Sequence, residues 1–333
     1  MPTARTKPPQ PDPSKLDKLP IGYQEIQDYY QGFGESTPFI LRKETFVRIE
    51  AITARPLICY VAKTSNVAPL LPTSIDDSDL IGFTDLIHSV SGKAVDVLIE
   101  SNGGSAEAAE RIVRLLRARF ESVRFIIPAN AYSAATLICF SGDSVVMGSI
   151  ATFGPIDPQI NGIPARAILR AFKTLEKRLA EEGPRALTAY VPLISKYDLH
   201  LFEICKSAEE LSKELAATWL GDYMLKCPSD DPRVSAIVDY FSNYDEHKSH
   251  GRSIDRRKSQ ELGLVIENVE DTKGLEELIR SLHNQYAFWF DKTGFVKMFE
   301  DARGISWGRL AQNVTVQLPI ASPPQPGPPA RTN

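Results

Sequence analysis

A serine between an apolar strand and an apolar helix has the surroundings of a catalytic nucleophile. Ser133 lies four residues beyond the apolar run 122–129, and Ala134 and Ala135 follow it directly. This position predicts a hydroxyl at a helix N-terminus, beside the N–H of Ala134 and with room for a substrate above small side chains. Alternatively, Ser133 is only a helix N-cap, a position that serine often occupies.

A glycine pair offers backbone donors to such a nucleophile. Gly103 and Gly104 follow the apolar run 94–100 and precede a predicted helix. Their N–H groups are therefore free to point at an anion, or at an oxyanion that develops during a reaction. The alternative is that the two glycines only form the turn between a strand and a helix.

A lysine beside an apolar helix face is a candidate general base. The helix predicted over 164–182 carries a broad apolar face, formed by Ile168, Leu169, Phe172, Leu175 and Leu179. Lys173 follows Ala165 and Leu169 at four-residue spacing, so it borders this face. Desolvation at such a position can lower the pKa of a lysine until its amine accepts a proton. Alternatively, the side chain extends past the apolar face into water.

Strands and helices that alternate along the first half of the chain must position these residues. Strands are predicted over 55–62, 94–100, 122–129 and 143–148, and helices over 79–91, 105–119 and 133–141. The strands are almost continuously apolar and rich in Val and Ile, which is typical of parallel strands covered on both faces. The pattern predicts an α/β architecture whose ligands bind at the strand ends.

The second half of the chain has a predominantly helical pattern. Helices are predicted over 164–182, 198–225, 274–290 and 294–302, with a short helix and a strand within 254–270. Residues 1–20 are rich in proline and lysine, and residues 318–333 are rich in proline. We expect both to be flexible tails, because neither can bury enough apolar surface to order itself.

Composition narrows the classes of partner and compartment. The 333 residues are 43% apolar and 24% charged, with a net charge of −4, so we expect no broadly basic surface for nucleic acid. We find neither an apolar signal segment nor a run of about 18 apolar residues, and we expect a cytoplasmic protein without a membrane span. The four widely spaced cysteines predict buried thiols rather than disulfides. Neither metal-ligand spacing nor a dinucleotide fingerprint is present, so no metal or cofactor is expected.

Five segments in order resemble the serine dehydrogenase proteinase family, a branch of the ClpP-like serine proteases related to signal peptide peptidase A. They are DDSD (76–79), SNGGSAEAAERI, AYSAATLICFSGDSVVM, FGPIDPQI (153–160) and HGRSIDRRKSQELGL (250–264). The resemblance extends from about residue 55 to residue 270. It implies a ClpP/crotonase-like spiral of ββα units over 21–272, with a helical C-terminal extension over 273–317.

The family pattern also implies roles for individual residues. Carried onto this chain, the nucleophile is Ser133, and the oxyanion donors are the N–H groups of Gly104 and Ala134, with Gly103 supporting the turn. Where ClpP has its histidine, this chain has the sequence Asp-Pro-Gln at 157–159, so the general base must come from elsewhere.

Two residues are candidates for that base. Relatives of signal peptide peptidase use a lysine, and Lys173 follows Ser133 by forty residues, so Lys173 is predicted to be the base. His250, which begins the last of the five segments, is the alternative base. Its other interpretation is a loop residue that caps the helix predicted from 254.

The resemblance implies a serine endopeptidase that works through an acyl-enzyme on polypeptide substrates. The chain lacks the ATPase signature GxxxxGK(S/T), so unfolding of substrates would need a separate ATPase or adaptor. Members of this fold usually oligomerise, and we expect a homo-oligomer. Two alternatives stay open, a catalytically inactive binding or assembly module and a crotonase-like acyl-CoA enzyme with the same oxyanion hole.

Overall fold

The structure is a computed structural model and describes residues 18–30, 37–68, 70–183, 187–195, 197 and 200–311. The strands are β1 (Leu57–Ala62), β2 (Ala94–Glu100), β3 (Ser122–Ile127), β4 (Asn130–Ala131), β5 (Ser144–Met147), β6 (Thr152–Phe153), β7 (Gln159–Ile160), β8 (Ile163–Pro164), β9 (Ile254–Asp255), β10 (Ile266–Asn268), β11 (Phe295–Asp301) and β12 (Ser306–Leu310). The helices are α1 (Tyr23–Tyr30), α2 (Thr37–Thr53), α3 (Leu80–Ser89), α4 (Ala106–Arg119), α5 (Ala134–Phe140), α6 (Ala165–Glu182), α7 (Leu187–Ile194), α8 (His200–Trp219), α9 (Pro232–Ser242), α10 (Tyr244–His247), α11 (Arg256–Glu261) and α12 (Leu275–Lys292).

A seven-stranded sheet lies at the centre of the molecule. Its strand order is β10-β5-β3-β2-β1-β11-β12. The first five strands of this order run parallel, β11 pairs antiparallel with β1, and β12 pairs antiparallel with β11. The predicted α/β class is therefore confirmed, with helices packed against a largely parallel sheet.

Both faces of the sheet are buried, which explains why its strands are apolar without alternation. Along β1, Ile58 and Tyr60 enter the core beneath α3, α4 and α5. The intervening Cys59 and Val61 enter the core between the sheet and helices α2 and α12. Because successive side chains of a strand point to opposite faces, a strand covered twice must be apolar at every position.

Most predicted elements are present, and one is wrong. The predicted helix 198–225 is α8 followed by a π-helical turn over Leu220–Leu225. The segment 294–302 is strand β11 rather than a helix, and it pairs with β1. Because β11 is buried on both faces, its pattern cannot be distinguished from a buried helix by periodicity.

The remaining predictions about organisation have different outcomes. Of the two predicted tails, residues 1–17 and 318–333 lie outside the described residues. The division of the folded part at residue 272 stays a prediction. Among the helices of the described ranges, none is long and apolar enough to cross a membrane.

Candidate active site

Ser133 occupies a backbone conformation that L-residues rarely adopt. Its φ and ψ are 53° and −119°, and it stands at the N-cap position of α5. The side chain makes no capping hydrogen bond, so the bond that defines a simple N-cap serine is missing. A non-glycine residue in this region is strained, and such strain persists where the surrounding structure holds it.

The buried hydroxyl of Thr136 holds the turn around the serine. Its Oγ1 lies 2.7 Å from the carbonyl oxygen of Ala131 and accepts a hydrogen bond from the N–H of Gly154 at 3.2 Å. The N–H of Ala135 donates to the carbonyl of Tyr132 at 2.9 Å. These bonds hold the residues on both sides of Ser133 to one another and to Gly154. The strained conformation of Ser133 is therefore fixed by the residues around it.

The glycine pair packs directly against the serine turn. Gly103 has a φ of +96°, and a β-carbon on it would stand 2.6 Å from Ser133 Cβ and 3.0 Å from the N atom of Ala134. A β-carbon on Gly104 would stand 2.2 Å from the carbonyl oxygen of Ile75. Neither position has space for a side chain, so both glycines are required by close approach of the backbone.

Two amide groups near Ser133 remain available to a ligand. The N–H of Gly103 donates to the hydroxyl of Ser101 at 3.0 Å. Ile75 pairs on both sides of Gly104, because its N–H donates to the carbonyl of Gly103 and its carbonyl accepts from Ser105. Among the described residues no acceptor is found for the N–H groups of Gly104 and Ala134. Two such donors beside a hydroxyl can stabilise an oxyanion.

A histidine that lines the same cavity is held by a buried aspartate. Nδ1 of His250 lies 2.8 Å from Oδ1 of Asp157, and Oδ2 of Asp157 accepts a hydrogen bond from Gln159 at 2.9 Å. Asp157 is 1% exposed, whereas the imidazole of His250 is partly exposed. Ser133, Gly104 and His250 line one cavity of about 360 Å³. The carboxylate therefore fixes one ring nitrogen and leaves the other for a partner.

A small three-stranded sheet brings these distant segments together. Its order is β4-β6-β9, with β4 directly before the serine turn, β6 before Asp157 and β9 after His250. The hydroxyl of Tyr132 lies 2.7 Å from that of Ser253 and adds a side-chain link between the first and last segments.

Part of this chain matches a known protein family. Residues 71–225 match the ClpP-like SDH-type serine proteinase family. The predicted resemblance is thereby confirmed over a segment that contains the first four of the five motifs. The matched segment contains Ser133, both glycines and Asp157, and His250 lies beyond it.

Relatives and solved structures of similar sequence or fold were found. The uncharacterized proteins MJ1495 and MJ0137 of Methanocaldococcus jannaschii are each 31% identical to this chain, over 138 and 158 residues. These matches cover 39% and 45% of this chain and about half of each relative, 47% and 55%. ClpP1 from Listeria monocytogenes matches 67% of this chain and 96% of its own, at 13% identity and a TM-score of 0.36. A ClpP1 mutant from the same organism matches 68% and 98%, at 12% identity and the same TM-score.

The structure places the predicted base Lys173 away from this cavity. Its side chain is exposed, and Lys173 is not among the residues that line the cavity of Ser133. Helix α6 buries only Ala165 and Ile168, in its first turns. Further along, Phe172 packs against Phe202 of α8, with ring centroids 4.0 Å apart. The desolvation expected of Lys173 is therefore absent in the single chain.

Asp157 is the residue of the site that sequence reasoning missed. It stands in FGPIDPQI, one of the motifs of the family resemblance, at the place where ClpP has its histidine. A carboxylate between isoleucine and proline in a specific motif was the available signal. Within the described part of the chain, no group of three or more His, Cys, Asp or Glu side chains is arranged to hold a metal ion.

Proposed function

We propose that this protein is a serine endopeptidase that cleaves peptide bonds through an acyl-enzyme at Ser133. One observation carries the proposal. Within the described ranges, a serine hydroxyl without a capping bond, two amides without acceptors and an Asp157-bound histidine line or adjoin a single cavity. These are the three parts that acyl transfer requires, a nucleophile, an oxyanion hole and an oriented base.

In this mechanism His250 is the general base. With Nδ1 held by Asp157, Nε2 of His250 takes the proton of Ser133, whose Oγ attacks the substrate carbonyl. The N–H groups of Gly104 and Ala134 hold the oxyanion. His250 then gives the proton to the leaving amine, and a water molecule that it activates in turn releases the acyl group from Ser133.

The Ser133–Lys173 dyad implied by the signal peptide peptidase relatives is the competing mechanism. The geometry of the single chain favours His250, because it lines the cavity of Ser133 and is held by a buried carboxylate. Lys173 is exposed on α6. The two mechanisms differ in pH dependence, because an imidazole generally becomes free to accept a proton near neutral pH, whereas a lysine amine does so only at alkaline pH.

The cavity suits an apolar segment of a polypeptide. Its apolar lining comes from three helices, one strand and one loop, and consists of Ala106, Ala134, Leu137, Ile156, Pro158, Ile160, Ala208 and Leu211. A peptide side chain that enters it would be covered mainly by aliphatic groups. We propose polypeptides as the substrate class on this ground.

Fluorophosphonate labelling with mass-spectrometric mapping tests the proposal. We expect the probe to modify Ser133 in the wild-type protein and to leave Ser133→Ala unmodified, with peptide hydrolysis lost in parallel. A crotonase-like enzyme would instead bind coenzyme A and keep its activity in Ser133→Ala. An inactive binding module would show neither labelling nor hydrolysis, and either result would overturn the proposal.

We also propose that the protein forms a homo-oligomer in the cytoplasm. A separate ATPase or adaptor would unfold its substrates. Exposed apolar side chains on and around helices α7 and α8, at Leu187, Val191, Tyr197 and Ile204, support an assembly that covers them. Multi-angle light scattering of the full chain measures the mass directly. A monomer at all concentrations would contradict this part of the proposal.

A further inference from the structure

A buried lysine outside the family-matched segment contacts the loop that supports the glycine pair. Lys297 lies on β11, and its ammonium is 2.8 and 2.9 Å from the two carboxylate oxygens of Asp79. It also donates to the carbonyl oxygen of Ser74 at 2.5 Å. Both charged side chains are 0% exposed. Charge-assisted hydrogen bonds of this kind, away from water, hold their partners strongly.

The carbonyl that Lys297 binds is one residue from the partner of Gly104. Ser74 lines the cavity of Ser133, and Ile75 follows it. Ile75 donates to the carbonyl of Gly103 at 2.8 Å and accepts from the N–H of Ser105 at 2.9 Å. The direction of the Gly104 N–H is therefore set by Ile75, and the position of Ile75 depends on how Ser74 is held.

Asp79 closes the same loop from its other end. Its Oδ2 accepts hydrogen bonds from the Tyr60 hydroxyl at 2.9 Å and from the N–H of Asp76 at 3.2 Å. Lys297 of β11 and Tyr60 of β1 thus both bind Asp79, and they connect two strands of the main sheet to the loop over 74–79. A shift of this ammonium would be transmitted to Ile75 through a single carbonyl group.

We propose that Lys297 is a positioning residue for the oxyanion hole, acting on the Gly104 N–H through Ser74 and Ile75. The proposal rests on the acyl-enzyme function, because that chemistry is what needs an aligned Gly104 donor. Misplacement of a catalytic group by a fraction of an ångström to an ångström costs about 10- to 100-fold in rate. We expect that loss to occur in kcat, since the donor acts on the transition state rather than on the bound substrate.

The chain supplies a matched control for a merely structural ion pair. Glu300 lies three residues after Lys297 on β11, so its side chain points to the opposite face of the sheet. It forms a buried pair with Arg42, with N–O distances of 2.6 and 2.8 Å. Neither residue lines the cavity of Ser133. Loss of this pair should destabilise the same strand without moving Ile75.

The experiment compares Lys297→Met, Arg42→Met and the double variant Lys297→Met/Asp79→Asn with the wild-type protein. Each methionine removes one buried cation and its hydrogen bonds to a buried carboxylate. Arg309, 3.9 Å from Asp79, only partly replaces Lys297, so both single variants should melt at lower temperature. Only Lys297→Met should lose about 10- to 100-fold in kcat, with KM within about twofold. The double variant should recover thermal stability but not kcat, because the donor to Ser74 is still missing.

A second readout does not need turnover. Hydrogen exchange of the Ser105 amide, which donates to Ile75, should be faster in Lys297→Met and in the double variant than in Arg42→Met. If Lys297→Met does not fold, kcat and the exchange of the Ser105 amide are both compared between the double variant and Arg42→Met.

The outcomes separate this proposal from the proposed function. Recovery of wild-type kcat in the double variant, equal loss of kcat in Arg42→Met, or unchanged Ser105 exchange would each overturn the role of Lys297. If the wild-type protein neither reacts with fluorophosphonate nor cleaves peptides, the proposed function fails, and the exchange measurement still decides whether Lys297 positions the loop.

Discussion

Nδ1 of His250 lies 2.8 Å from Oδ1 of Asp157, a residue 93 positions earlier in the chain. Asp157 is buried, and its second carboxylate oxygen is bound by Gln159. The carboxylate can therefore orient the imidazole and balance the charge that His250 gains when it accepts a proton. Ser133 and Gly104, which line the same cavity as His250, belong to other segments of the chain.

His250→Gln should remove the general base while keeping a polar side chain at the cavity. We expect kcat/KM for a peptide substrate to fall by about 10³-fold or more, because loss of a base in a serine hydrolase removes most of the catalysis. Lys173→Met, on the exposed face of α6, should keep nearly full activity. An active His250→Gln together with an inactive but folded Lys173→Met would instead make Lys173 the general base, as in the Ser133–Lys173 dyad. Steady-state kinetics over a range of pH adds a second criterion, since an imidazole base gives an acidic limb near neutrality.

Asp157→Asn should preserve the fold and lower kcat. The amide keeps the size of the carboxylate, but it cannot stabilise a protonated His250, so a loss on the order of 10²- to 10⁴-fold in kcat is expected. Circular dichroism and thermal melting serve as the control for folding. Wild-type kcat in a folded variant would show that the contact between Asp157 and His250 has no catalytic role.

Substitutions at Ser133 separate the strain of its backbone from its chemistry. Ser133→Ala and Ser133→Gly should both lose fluorophosphonate labelling. The glycine variant should be more stable than the alanine variant by about 1 kcal/mol, because glycine adopts a φ of 53° without a β-carbon penalty. Chemical denaturation of the two variants measures the difference. Equal stabilities would mean that the turn does not strain the serine.

Side chains at the glycine pair should damage both turnover and stability. A β-carbon on Gly104 meets backbone atoms of Ile75 at 2.2 to 2.8 Å, so Gly104→Ala must displace the loop. We expect kcat to fall by about 10²-fold or more and stability to drop by about 1–3 kcal/mol. Gly294→Ala is the matched control, since its β-carbon would lie 3.7 Å from a leucine methyl group. A stable and active Gly104→Ala would contradict the close packing of the loop.

A second histidine pair makes stability depend on pH. Burial opposes protonation of His283, but the charge of Glu100 and their hydrogen bond of 2.8 Å outweigh it, so the pKa of His283 is raised. The pair therefore stabilises the fold fully below the unfolded pKa of about 6.5, and this contribution is lost as the pH rises through the raised pKa. The melting temperature of His283→Gln should fall below that of the wild type at pH 5.5 and approach it at pH 9. A difference that is constant with pH would exclude this coupling.

Much of the fold was accessible from sequence because strands covered on both faces leave a strong apolar signal. The same property explains why the helix predicted over 294–302 is wrong, because β11 is a strand buried on both faces that follows an aromatic helix. Ser133 and the glycine pair could be found because they are local to a strand end. The contact between His250 and Asp157 depends on a small sheet formed by two-residue strands, which is too short to leave a periodic pattern.

The pairing of β11 with β1 has a consequence for the order of events during synthesis. Ile58 faces Asp301, so the edge of β1 stays open until almost all of the described chain has left the ribosome. Closing so large a loop is slow, because its entropy must be lost before the contacts form. The nascent chain already contains the serine and the glycine pair, but not Lys297 or the finished edge of the sheet. Until β11 has been synthesised, the loop over 74–79 therefore lacks the lysine that we propose to hold it beside Gly104.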